Sequence, residues 1–118
     1  MKNYLLVIGV FVMSQRVSAQ IGINTEAPKA TMDIRAKVST GSDVASADGI
    51  LIPRIDRERA SSMTNIENST LIYINDVSTG SANVGEVTEY ISSPGFYYYE
   101  ATKSRWQSIN YKNDFYYS

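Results

Sequence analysis

Three sets of residues in this chain have the chemistry to form a site. The first is acidic. Asp56 and Glu58 are close together, and so are Glu86 and Glu89. Glycoside hydrolysis needs two carboxyl groups facing each other across a cleft, about 5–9.5 Å apart. Neighbours in one short segment do not meet that need, so Asp56 reads as a helix cap and Glu58 as part of a solvated face. Asp43, Asp48, Asn75 and Asp76 are oxygen ligands in or beside loops, but they lack the alternating spacing of a calcium loop. The second set is glycine-rich. Gly80-Ser81-Ala82-Asn83-Val84-Gly85 has the glycine spacing of a phosphate loop, yet Glu86-Val87 stand where that chemistry needs a lysine and a hydroxyl. A flexible turn is the better reading. No histidine is present, so no Ser-His-Asp triad can be completed and the usual general base near neutral pH is missing. No cofactor or metal site is expected, and no enzymatic activity.

The third set is basic and aromatic. Arg54, Arg57 and Arg59 alternate with Asp56 and Glu58, which brings the cluster near charge balance and favours ion pairing over anion capture. Arg54 has a particular structural use, because its guanidinium fork can hydrogen-bond main-chain carbonyls at a strand end. Tyr97, Tyr99 and Trp106 could make a sugar-stacking platform or an interface, since an aromatic ring with a polar tip suits both. Strand alternation puts Tyr97 and Tyr99 on the face opposite Phe96 and Tyr98, and core or subunit packing is the first expectation. Asn68-Ser69-Thr70 matches a glycosylation sequon and is given little weight.

The elements that would position these groups follow from pattern. Of the 118 residues, 1–19 read as a cleaved signal peptide. Lys2 supplies a basic start, Tyr4 to Met13 an apolar run too short to span a bilayer, and Val17-Ser18-Ala19 a cleavage site. Export is therefore expected, to the medium or the cell surface, with no integral membrane span after cleavage. The chain has no cysteine, which rules out disulfides and a lipid anchor through that residue. Its formal net charge is −1 and becomes more negative when Lys2 and Arg16 are lost, which argues against nucleic acid.

Residues 20–37 read as an N-terminal strand region, with Ala30 to Lys37 alternating as one half-buried strand. Residues 38–48 form a Ser-, Gly- and Asp-rich flexible loop. Residues 49–110 form a β-rich head module with one short helix. In it Gly49 opens a strand to Ile52, Pro53 ends the ladder, and Asp56 caps a helix from Arg57 to Met63. Thr70 to Asn75 is a strand and Glu86 to Ile91 a short one. Ser93-Pro94-Gly95 is a turn, and Phe96–Glu100 and Arg105–Asn110 form a hairpin around Ala101 to Ser104. Residues 111–118 are a polar-aromatic tail. The fold class is thus mainly β with one short helix, and Gly49, Pro53, Arg54 and Asp56 form a structural corner.

Read together, several of these stretches resemble a known family. Ile21-Gly22-Ile23-Asn24-Thr25, Pro28 and Ala30 to Ile34 resemble the "VGIGT..P...LDV" opening of phage tail-fibre-like proteins and of exported surface proteins of Bacteroidota. Gly49 to Ile55 resembles their "GLLLPRM" element. A short helix with an arginine at the Arg59 position, a strand like Leu71 to Asp76, and a hairpin like Gly95 to Tyr99 with Arg105-Trp106 follow in family order. The resemblance covers residues 21–110. It implies a β-rich, self-associating, trimeric and non-enzymatic module of structural or adhesive use, whose further partner would be a surface glycan or a cell-surface protein. Members are often longer, with a fibre or chaperone domain downstream, so this chain reads as a stand-alone head or a truncated one. The competing expectation is a monomeric carbohydrate-binding module using Tyr97, Tyr99 and Trp106.

Overall fold

The computed structural model describes residues 19–110; residues 1–18, which fall in the expected signal peptide, and the tail at 111–118 lie outside the described residues. The chain divides into two units, Met1–Gly49 and Ile50–Ser118. Each carries its own sheet.

In the first unit, β1 (Ile21–Ile23) and β2 (Met32–Ile34) pair in parallel, with Ile21 opposite Met32 and Ile23 opposite Ile34. The ladder extends by one bond at each end, from the Ile21 N–H to the Thr31 carbonyl (2.7 Å) and from the Arg35 N–H to the Ile23 carbonyl (3.0 Å). The connection curls tightly back on β1. A Cβ on Gly22 would collide with the Thr25 carbonyl oxygen, so the residue there has to be glycine. Asn24 takes a left-handed φ of 59° and its amide donates to the Arg35 carbonyl at 2.9 Å. The alternation from Ala30 to Lys37 therefore yields only three strand residues. Its apolar side is not the half-buried face expected, since Met32 is exposed along with Ile21 and Ile23.

The second unit is a four-stranded sheet in the order β3 (Arg54–Asp56), β4 (Leu71–Asp76), β5 (Gly95–Glu100) and β6 (Arg105–Ser108). β3 runs parallel to β4, and the remaining pairs are antiparallel. The crossover between β3 and β4 carries α1 (Arg57–Ser62). Mainly β with one short helix, as the pattern implied, this unit also holds the expected terminal hairpin: β5 and β6 flank a turn over Ala101 to Ser104.

One face of that sheet makes the core. Ile72 and Ile74 from β4, Tyr97 from β5 and Trp106 from β6 meet Ala60 of α1 and Ile91 of the following loop. Among the described residues no buried side-chain nitrogen or oxygen lacks a hydrogen-bond partner. The Trp106 indole N–H donates to the Ala60 carbonyl at 3.2 Å, the Tyr97 hydroxyl to the Ser93 carbonyl at 2.7 Å, and the Thr88 hydroxyl to the Ser81 carbonyl at 2.7 Å. Unpaired, each would cost about 1–3 kcal/mol.

Two expected strands take other forms. The ladder does not run from Gly49 to Ile52 and stop at Pro53; it begins right after Pro53, whose carbonyl accepts the Tyr73 N–H at 2.9 Å. Proline lacks a donor, not an acceptor, so it suits the residue that leads into an edge strand. Glu86 to Ile91 is a run of turns, with N–H groups of Glu86, Glu89 and Ile91 bonded three residues back. That period turns Val87, Thr88 and Ile91 inward, and the Val87 carbonyl accepts the Trp106 N–H at 3.0 Å. The segment thus closes the open edge of β6 without being a strand.

Ile74 is fully buried at the centre of the sheet. Ile74→Ala is expected to lower stability by about 2–5 kcal/mol. Trp106, the single tryptophan, reports unfolding by its fluorescence in a denaturant titration.

Candidate functional site

The densest polar construction among the described residues is the corner where β3 turns into α1. A register shift between Ile55 and Asp56 bends the strand out of the ladder. Asp56 then takes an extended backbone and its carboxylate accepts the Arg59 N–H at 2.7 Å, capping the helix as its position implied. Arg57 is the first helical residue. Its Nε donates to the Thr79 carbonyl (2.9 Å), Nη1 to the Ile91 carbonyl (3.0 Å), and Nη2 to the carbonyls of Val77 (2.5 Å) and Gly80 (3.3 Å). A planar fork with five donors can span four acceptors in this way, where an ammonium cannot.

The loop it holds is shaped to come close. Gly80 has a φ of +60°, and a Cβ on it would lie 2.9 Å from the Glu58 nitrogen. The Thr79 hydroxyl meets the Glu58 N–H at 3.4 Å. Asp76 starts the loop with an Asx turn onto the Ser78 N–H at 2.7 Å. Ser78 holds the Asp76 carboxyl below its usual range.

The sequence pointed to Arg54 for the carbonyl-binding role, and the structure gives that role to Arg57. Arg54 pairs with Tyr73 across the ladder and is exposed. The reason is strand alternation: Ile55 faces the core, so Arg54 must face away from it. One signal did mark Arg57. A cation in the first helical turn opposes the helix dipole, so its presence there calls for a compensating set of acceptors.

The carboxylates do not converge. Asp56 is the cap, and Glu58 is exposed. Glu86 accepts from the Ser81 hydroxyl (2.5 Å) and from the main-chain and side-chain N–H groups of Asn83 (both 3.2 Å). The glycine-spaced loop thus already holds an anion of its own where a phosphate would sit. These bonds, with Ser81 first, hold the Glu86 carboxyl below its usual range. Glu89 pairs with Arg105 at 2.6 Å and accepts the Gly85 N–H at 3.0 Å. Arg105 also reaches the Tyr90 hydroxyl at 3.1 Å. Asn68 of the sequon accepts the Ala101 N–H at 2.8 Å, which anchors the hairpin turn. No three Asp or Glu side chains group closely enough to hold a metal ion among the described residues.

The aromatic residues divide as alternation required, but the sides are the reverse of a sugar platform. Trp106 is 0% exposed and Tyr97 2%, and Tyr99 packs against them with its ring edge-on to Trp106 at 5.3 Å. These three are core, because the side of β5 and β6 that bears them is the side the helix and loop cover. The opposite side carries Tyr73 and Phe96, in edge contact at 4.9 Å, with Leu71 and Tyr98 beside them.

A family model described as "Phage tail like trimerisation region" matches residues 20–116. The chain belongs to that family. Comparison with curated proteins and with solved structures gives no match. The match spans both units, so the small β1–β2 ribbon is part of the family's region as much as the sheet that follows. It agrees with the phage tail-like resemblance at the level of the family. In a trimerisation region the Arg57 corner acts on shape. It fixes where Val77 to Gly80 and Ile91 lie, and through them the closure of the β6 edge.

Two outcomes test this assignment. Arg57→Lys keeps the charge and loses the fork, and is expected to cost about 2–4 kcal/mol in a denaturant titration, against less than about 0.5 kcal/mol for Arg54→Ala. The carboxyls of Glu86 and Asp76 are lowered in the folded chain. Their stabilisation is therefore complete above their unfolded values and is lost as pH falls through the lowered folded ones. Glu86→Gln should flatten that acid slope in stability measured against pH; an unchanged slope would remove Glu86 from the account.

Proposed function

We propose that the chain is an exported, non-catalytic head module that assembles as a homotrimer and serves surface structure or adhesion. The observation that carries this reading is the family match over residues 20–116, which joins a tail-like class to a trimerisation role. The basic start at Lys2, the apolar run from Tyr4 to Met13 and the small residues Val17-Ser18-Ala19 support export. Among the described residues no helix is long and apolar enough to cross a membrane. The engagement of Asp56, Glu86 and Glu89 in caps and turns supports a non-catalytic role. Adhesion would engage a surface glycan or a cell-surface protein. The monomeric sugar-binding alternative loses its motivating residues, since Tyr97 and Trp106 are taken up by the core.

Size exclusion with light scattering should give three times the protomer mass; a monomer at high concentration would falsify the trimeric reading. Intact mass of the exported protein should begin at Gln20. Material that reaches the medium with Met1 retained would sink the signal-peptide assignment.

A further inference from the structure

The sheet of the second unit has a second face, and its composition is unusual for a surface left to water. On β4 it presents Leu71 and Tyr73, and on β5 Phe96 and Tyr98, paired as Leu71 with Tyr98 and Tyr73 with Phe96. Ile109 continues β6 opposite Phe96, to whose carbonyl its N–H donates at 3.1 Å. Leu71, Phe96 and Ile109 are exposed, Phe96 by 44% and Ile109 by 52%, while Tyr73 and Tyr98 are half-buried. The centre of this patch is aromatic and uncharged; Gln107 stands opposite Tyr98, and the pair Glu100 and Arg105 closes the far end of the same face. Arg54 stands at its other margin, on β3 beside Tyr73.

We infer that Leu71, Tyr73, Phe96, Tyr98 and Ile109 form the surface by which three copies of this chain pack about their common axis. The inference rests on the trimeric reading above and names the face that performs it. In a cyclic trimer, side chains near the axis meet their own copies. A charge there meets two like charges, so the centre of such a face must be neutral, as this one is. Aromatic and aliphatic side chains fill such a centre, with charge kept to the rim, and Arg54 occupies that rim position. The same composition disfavours a sugar as the occupant. Small-ligand sites need placed polar groups between their apolar walls, and here Leu71, Tyr98 and Ile109 surround Phe96 while the polar groups Arg54 and Gln107 lie to the sides, on β3 and β6.

The test uses the full chain with Leu71→Lys and Phe96→Lys, and Val84→Lys as a control at a 90% exposed loop position. Both face variants should raise the concentration of half-assembly by more than about tenfold, since each removes an apolar side chain from burial and sets three ammonium groups together. The control should assemble as the parent does. Emission from the buried Trp106 shows whether each variant is folded. If a face variant is unfolded, hydroxyl-radical footprinting of the parent decides instead. Leu71 and Phe96 should be protected in the trimer and exposed on dilution to monomer. Folded face variants that remain trimeric, or equal labelling of Leu71 and Phe96 in both states, overturn the inference while the trimer itself stands. A parent that is monomeric at every concentration fails earlier, at the trimeric reading.

Discussion

The Arg57 guanidinium ties four main-chain carbonyls to the start of one short helix. Without it, the carbonyls of Val77, Thr79, Gly80 and Ile91 would each lose this side-chain donor. The consequence runs outward. Held at both ends by Arg57, residues 77–91 fold into turns rather than a strand, and those turns bring Val87 to the edge of β6 and Ile91 into the core. A small sheet with a helix of six residues has few apolar contacts to spare. Charge-assisted bonds from one rigid side chain replace part of what a larger core would provide.

The sheet has two apolar faces used differently. One is closed by α1 and the loop and is dry, with Trp106 at its centre. The other carries a second aromatic set whose members touch each other edge-on but remain accessible. Strand alternation alone produces this division from the run Phe96-Tyr97-Tyr98-Tyr99. A run with no polar break is the sequence mark of a strand with apolar surroundings on both sides. In a monomer that demand goes unmet on one side.

Much of the second unit was legible. The Asp56 cap, the helix after it, the strand from Leu71 and the hairpin around Ala101 to Ser104 rest on local rules, and local rules place them within a residue or two. What the sequence hid was long-range. Choosing Arg57 over Arg54 depends on which side of β3 meets the core, which β4 decides through the Ile55 and Ile74 pairing. Which aromatic set is buried depends on where the loop after β4 lies, and the spacing of Glu86 to Ile91 resembles a strand as much as a chain of turns. The first unit was read less well because three-residue strands carry too few alternations to mark a face.

The carboxylates that brace these loops have a further consequence. Histidine and cysteine are both absent from the chain. Asp33, Asp76 and Glu86 are held below the usual carboxylate range by the N–H and hydroxyl groups around them. The chain has no imidazole to titrate near neutral pH and no thiol to oxidise. Redox chemistry at its sulfur atoms is limited to methionine. The titrations that bear on its shape are those of the braced carboxylates, at the acid end of the scale.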